Sequence, residues 1–352
     1  MPDSSRKISM KDIARELNIS ITTVSFVING KSEQKKISAA TVKRVNDLIE
    51  EWGFNPNSAA RILRTGKSKT IGLIVEDMSN YFFGHVAKII GLEANKNGYN
   101  IFFSSTENND NTAKELINKM KNSLVDGFII TATKGLKNEI LKLKKEAKPF
   151  VLIDRMVPGV EANYVVLNNY QGAVDLTKHL LKNGYSKIGF ISILSGMLQM
   201  VDRKKGVMDT LAQADIQMDH QKILEIPFGA TNEDVINSIQ AFVANNPTLD
   251  ALFFATNYLG VAGIEALQRS NLKIPSDIAV VCFDDHDIFR LLTPSITVAA
   301  QPIKEIATHA IYRLLNLIKS GKEGDNPISA VIDPIIIVRN SSSKKAPSKK
   351  DR

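Results

Sequence analysis

From Thr70 onward, short apolar runs alternate with helical or turn-rich stretches, and this alternation leaves the chain few possible architectures. "TIGLIVED", "YNIFFSST", "DGFIITAT" and "PFVLIDR" form one series; after a connection near residues 156–163, "YVVLN", "SKIGFIS", "ILEIPF", "DALFFAT" and "IAVVCFDD" form a second. Apolar strands separated by helices imply parallel sheets covered on both faces. Two such series predict two lobes. "SITVAAQP", a helix from Pro302 to Ser320 and "AVIDPIIIVRNSS" complete the pattern. The expected class is therefore α/β, with a two-lobed doubly wound domain over 70–341. Its first lobe is expected at about 70–162 and 294–321, and its second at about 163–293 and 322–341. The basic tail, 342–352, is expected to be disordered.

The first seventy residues read differently. Ser9 offers an N-cap with Asp12 three residues on, and Ile13, Ala14 and Leu17 share one helical face. Asn18 interrupts, and Asn tolerates the left-handed backbone of a sharp corner. Ser20 then caps "ITTVSFVING". Its Val24, Val27 and Ile28 recur at helical spacing despite their β-branching, and Asn29-Gly30 is a helix stop. The opposite face carries Ile21, Thr22, Ser25 and Asn29, short groups suited to base edges and phosphates. An ordinary polar surface would look similar on this helix alone. Ser38 caps a third helix with Val42, Val45 and Ile49 on one face, ending at Gly53, and three short helices with the middle one exposed match a helix-turn-helix domain over 1–55. Residues 56–69 then form a short helix and linker.

Charge supports that division. Residues 1–69 carry 13 Lys+Arg against 7 Asp+Glu, residues 70–343 carry 27 against 29, and residues 344–352 carry 5 against 1. A basic front end implies a polyanionic partner. With 352 residues and 43% apolar content the chain can bury a large core. It has no run approaching a membrane span and no secretory leader at "MPDSSRKIS", so a cytoplasmic protein is expected. The lone Cys282 can build neither a disulfide framework nor a cysteine zinc site within one chain.

Other chemistry is weighed and set aside. "GKS" at 66–68 lacks the glycine a phosphate loop needs, that position being Arg61. "DDHD", Asp284 to Asp287, offers metal-ligand types at a strand end, but neighbours in a strand point to opposite faces. His85, His179, His220 and His309 have no ligand spacing, and no G-x-S-x-G or H-E-x-x-H signature is present. No enzyme, metal or cofactor is expected. In open α/β sheets ligands bind beyond the carboxyl ends of strands. Here those ends are polar: Glu76-Asp77, Asp154-Arg155, Asn257 and Asp284-Asp285.

The order of parts resembles the lac repressor (LacI/GalR) family of bacterial transcription regulators over roughly residues 7–341. The likeness is carried by "KDIARELNISITTVSFVING", "NPNSAARILRTGKSKTIGLIV", "DRKKG", "ALFFATN", "VVCFDDHD" and "SITVAAQP". It implies a sequence-specific DNA-binding regulator, a repressor, built as a homodimer able to pair further, on a pseudopalindromic operator. A small-molecule effector, a sugar or sugar derivative, would bind between lobes of the periplasmic-binding-protein type. Carried over by position, the resemblance puts Ile21 and Thr22 in the major groove and Ser25 and Asn29 near phosphates. Asn57 to Arg64 becomes a hinge helix in the minor groove, with Leu63 as wedge, Ala60 beside it, and Arg61 and Arg64 among the contacts. The effector contacts fall on Asp77, Phe82, Phe83, Asp154, Arg203, Asn257 and Asp284. Three positions depart from the family's habit: Phe26 stands where an Arg is common, Tyr258 where Asp is common, and Ile303 where some members have an aromatic. Phe26 either changes base readout or meets a thymine methyl. Two alternatives remain: a sugar-binding protein without DNA function, and a regulator governed by a phosphoprotein corepressor.

Overall fold

The structure is a computed structural model that describes residues 8–54, 66–321 and 328–344. It divides into two compact units, one reaching Ser68 and the other beginning at Lys69.

In the first unit the helices are α1 (Met10–Glu16), α2 (Ile21–Ile28) and α3 (Ala39–Glu51). The Asp12 carboxylate accepts from the Ser9 backbone N–H at 2.9 Å and from its hydroxyl at 2.6 Å, which fixes the entry to α1. Asn18 sits at φ 51°, the left-handed corner that turns the chain into α2. Ser20 and Ser38 cap α2 and α3 by accepting from the backbone N–H of Thr23 (3.0 Å) and Thr41 (3.2 Å). Ile13, Ala14, Val24, Val27, Val45, Leu48 and Phe54 form the small core, with Val42, Ile28 and Ile49 packed against it. β-branched residues can hold α2 as a helix because Val24 and Val27 are buried between α1 and α3; packing outweighs a propensity deficit of a few tenths of a kcal/mol per residue, at most about 0.7.

The second unit contains two six-stranded sheets. The first takes β1 (Thr70–Val75), β2 (Asn100–Ser105), β3 (Gly127–Ile130), β4 (Phe150–Ile153), β5 (Tyr164–Leu167) and β11 (Ser329–Ile332), in the order β11-β5-β4-β3-β1-β2. The second takes β6 (Ile188–Leu194), β7 (Ile223–Pro227), β8 (Ala251–Phe254), β9 (Ala279–Phe283), β10 (Thr297–Ala300) and β12 (Ile335–Ile337), in the order β12-β10-β9-β8-β6-β7. Pairing is parallel throughout except β10 with β12. The covering helices are α4 (Tyr81–Lys96), α5 (Asp110–Asn122), α6 (Lys137–Lys145), α7 (Asn169–Lys182), α8 (Leu198–Gln213), α9 (Asn232–Asn245), α10 (Asn257–Arg269), α11 (Asp287–Leu291) and α12 (Ile303–Ser320).

The lobe boundaries read from the sequence need correction. "YVVLN" is β5 and joins the first sheet, not the second; "SITVAAQP" carries β10 and joins the second, not the first; and "AVIDPIIIV" splits into β11 for the first sheet and β12 for the second. The chain thus crosses between lobes three times, after Leu167, Ala300 and Ile332. Apolar patterning marks a strand but not the sheet it completes, because Val165 and Val298 bury equally well in either. Two crossovers are tied together: Asn168 donates its backbone N–H to the Ile332 carbonyl and its amide to the Asp333 carboxylate, each at 2.8 Å.

Helices α7 and α8 pack face to face in the second lobe at Gly206. A methyl there would lie 2.5 Å from the Tyr170 carbonyl oxygen and 2.9 Å from the Ala173 Cβ, both on α7. We therefore expect Gly206→Ala to cost about 1–3 kcal/mol by forcing the helices apart. Thermal unfolding should show a melting point lower by several degrees, and an unchanged one would contradict this packing.

Candidate functional site

The outward face of α2 is available to a partner. Ile21 is 44% exposed, Thr22 and Asn29 are exposed, and Ser25 is half-buried. The Asn29 amide donates back to the Ser25 carbonyl at 2.5 Å and lies 3.3 Å from its hydroxyl, so both polar groups are held at the end of the helix. Phe26 is half-buried, with the Lys35 ammonium 5.4 Å from its ring centre, close enough for a cation–π contact. Asn57, Ala60, Arg61, Leu63 and Arg64 lie outside the described residues.

The second unit has a crevice between the carboxyl ends of its two sheets, with about 80 Å³ of free volume, bounded by both lobes. Its construction is symmetrical. Asp154 directly follows β4 and Asp284 directly follows β9; both adopt left-handed backbone, at φ 65° and 68°. Each donates its N–H to the neighbouring strand, Asp154 to Val165 and Asp284 to Ala299, and each carboxylate faces the crevice. A left-handed residue at a strand end carries strain that persists where surrounding structure over-determines it.

Arg203, on α8, is 2% exposed. Its Nε donates to the Asn169 side-chain oxygen at 2.9 Å, and its Nη1 to the Ala255 carbonyl at 2.5 Å and Asp284 at 3.1 Å. Its Nη2 reaches the other Asp284 oxygen at 3.4 Å, while its Cζ lies 3.7 Å from the Phe283 ring centre. Gln301 donates to Asp284 at 2.7 Å. Across the crevice, Asp154 accepts from Arg155 Nε at 3.1 Å and, bridging the lobes, from Gln199 at 3.3 Å. Burial pushes the Asp154 carboxyl up to about 7, opposed by Arg203 and reinforced by Asp284. Burial also pushes Arg155 down to about 10.

Of the positions expected to meet an effector, the crevice brings together Phe82, Phe83, Asp154, Arg203, Asn257 and Asp284. Asp77 is the exception. Its carboxylate accepts from the Ser79 backbone N–H and hydroxyl, both at 2.7 Å, and caps the loop instead. Glu76 lines the crevice in its place, paired with Arg155. Five buried residues precede this point in β1, so neither neighbour's direction follows from an alternating pattern. Phe228 and Tyr258 line the crevice with half their surface exposed, and Asn108, Gln199 and Gln301 add polar groups. Phe228 ends "ILEIPF", and its place beyond β7 was the available signal.

"DDHD" does not converge. Asp284 turns to Arg203, Asp285 pairs with Arg339 at 2.7 Å, and Asp287 pairs with Arg290 at 3.3 Å. Among the described residues no group of three or more metal-ligating side chains is assembled, and no helix is long and apolar enough to cross a membrane.

Residues 9–57 match the family described as bacterial regulatory proteins, lacI family, and residues 68–336 match that of periplasmic binding proteins and the sugar-binding domain of the LacI family. The HTH-type transcriptional regulator RegA of Clostridium saccharobutylicum is 30% identical over 341 residues, covering 95% of this chain and 99% of that protein. Among solved structures, the lac repressor dimer bound to operator and the anti-inducer ONPF superposes with a TM-score of 0.83 at 19% identity, covering 96% of this chain and 100% of that one. The transcriptional regulator CelR–cellobiose complex superposes with a TM-score of 0.70 at 23% identity, covering 95% and 99%.

The Asp154 carboxyl gives this site a pH dependence of definite sign. Its pKa is raised on folding, so between its ordinary value and about 7 the folded state binds more protons, and stability falls as pH rises through that window. Asp154→Asn removes the buried charge. We expect its melting point to exceed the parent's at pH 8 and the excess to shrink steadily as pH falls toward the ordinary carboxyl value, and a constant difference across that range would contradict the assignment.

Proposed function

This chain belongs to the lacI family of bacterial regulatory proteins, and from that premise we propose a cytoplasmic repressor that releases or holds its operator according to a sugar bound between the lobes. It is a DNA-binding transcriptional regulator controlled by an effector, and it is not an enzyme. The match over residues 9–57 sets aside a sugar-binding protein without DNA function.

The observation that carries the effector reading is the pair of inward-turned carboxylates, Asp154 and Asp284, one from each lobe, with the buried Arg203 guanidinium paired to Asp284. Acidic, amide and guanidinium groups facing one crevice suit a molecule dense in hydroxyls, and Phe82, Phe83, Phe228 and Tyr258 offer apolar faces for its carbon skeleton. The sugar-binding description of the matched family and the cellobiose held by a structural neighbour point the same way. Free volume of about 80 Å³ is well below the roughly 300 Å³ at which small-molecule pockets begin, so occupancy requires the lobes or their side chains to move. That movement is the means by which binding energy becomes a change of state.

For the DNA end, Ile21 and Thr22 on the α2 face are assigned to the major groove, Ser25 and Asn29 to nearby phosphates, Phe26 to altered base readout or a thymine methyl, and Asn57, Ala60, Arg61, Leu63 and Arg64 to the hinge contacts. A homodimer on a pseudopalindrome follows, because two-fold symmetry in the protein needs inverted half-sites.

Two variants separate the ends of the molecule. Thr22→Ala should weaken operator binding about tenfold, the lower range for a lost base contact, while leaving sugar-induced thermal stabilisation intact. Arg203→Lys should keep operator binding and lose the sugar response, because a single ammonium cannot span Asn169, Ala255 and Asp284. A gel mobility shift with the chain's own upstream DNA, repeated at rising salt, provides the readout. Affinity indifferent to salt would count against phosphate-driven binding.

A further inference from the structure

The charge balance of the crevice narrows the effector further, given that a sugar binds there. Five ionisable acid and guanidinium groups line it among the described residues: Glu76, Asp154, Arg155, Arg203 and Asp284. Two cations face three carboxyl groups, and burial raises Asp154 to about 7, so that near neutral pH it is ionised only in part. The local charge therefore lies between zero and minus one. No positive charge is in surplus.

The geometry of the donors says the same. A guanidinium has five N–H groups in a fixed fork, and it grips a phosphate or carboxylate by presenting two of them side by side. Arg155 engages Asp154 through Nε, Asn108 (3.0 Å) and the Ala132 carbonyl (3.4 Å) through Nη1, and Glu76 through Nη2. Arg203 engages Asn169 through Nε, Ala255 and Asp284 through Nη1, and Asp284 again through Nη2. Each keeps a single Nη2 hydrogen, enough for one hydroxyl oxygen and too few for a bidentate anion. By contrast, the crevice has an acceptor in want of a donor: the Gln199 side-chain oxygen is buried with no hydrogen-bond partner among the described residues, on a residue only 7% exposed. An unpartnered buried acceptor favours a ligand that brings O–H groups.

We propose that this cleft accepts a neutral, unphosphorylated and non-carboxylated sugar and refuses anionic ones, and that Glu76 determines the choice by neutralising Arg155. Asp284 is less suited to that role, since it also holds Gln301 and anchors Arg203. Removing the Glu76 charge instead leaves the Arg203 network in place and leaves the Arg155 positive charge without Glu76 to offset it at the crevice.

The test uses the full chain, by thermal shift and isothermal titration, with neutral mono- and disaccharides each set beside its phosphate ester and its uronate. At least one neutral sugar should bind, with its anionic counterparts weaker by about 100-fold, the cost of leaving one buried charge unmatched. Glu76→Gln should bring an anionic counterpart level with the neutral sugar, while Glu76→Asp, which keeps the charge, should stay selective. A parent protein that takes the phosphate or uronate as well as the neutral sugar overturns this inference and leaves the carbohydrate reading standing. No sugar of any class bound overturns both. Should Glu76→Gln unfold, the parent's selectivity and that of Glu76→Asp still decide; a folded Glu76→Gln as selective as the parent removes Glu76 from the role.

Discussion

A guanidinium removed from water must be surrounded by acceptors, and the second unit is arranged so that Arg203 is. Its partners come from three places: Asn169 at the start of α7, Ala255 beyond β8, and Asp284 beyond β9. Breaking a pair of this kind leaves an uncompensated buried charge, at a cost of about 3–5 kcal/mol. The left-handed turn at Asp284 is held against that demand, and Asp154 repeats the turn in the other lobe. Between them the lobes present matched carboxylates to one crevice, with Gln199 reaching across from α8 to Asp154.

The crevice is therefore held largely by contacts among its own side chains, which gives a ligand something to displace. Hydroxyls that take over from Gln199 or Gln301 would stabilise one lobe arrangement over another, and a ligand shifts an equilibrium only through such differential contacts. The three strand-to-strand crossings confine the relative movement of the lobes to a few residues, after Leu167, Ala300 and Ile332, with Asn168 and Asp333 joined side chain to side chain.

Much of this could be read from the sequence, for reasons that differ by element. The caps Ser9, Ser20 and Ser38 and the corner at Asn18 are local, and short-range chemistry sets them. The strands could be read because burial on both faces leaves uninterrupted apolar runs. Which sheet received β5, β10, β11 and β12 could not, since that depends on edges formed by distant segments. At the site, Asp154, Arg203, Asn257 and Asp284 came through a family resemblance at strand and helix ends. Asp77 was misplaced by one residue because the five buried residues of β1 leave no alternation to set parity; Glu76 and Arg155 could be read only as polar strand-end residues, and Phe228 became visible only once its partners were in place.

Coupling between operator and sugar is reciprocal by thermodynamic necessity: whatever factor the sugar applies to operator affinity, the operator must apply to sugar affinity. The most direct measurement is therefore the sugar dissociation constant with and without saturating operator, set beside the operator constant with and without saturating sugar. The account predicts one common factor, in the range of about 5–150-fold for a coupling of 1–3 kcal/mol. A sugar affinity that is the same on and off DNA would contradict it.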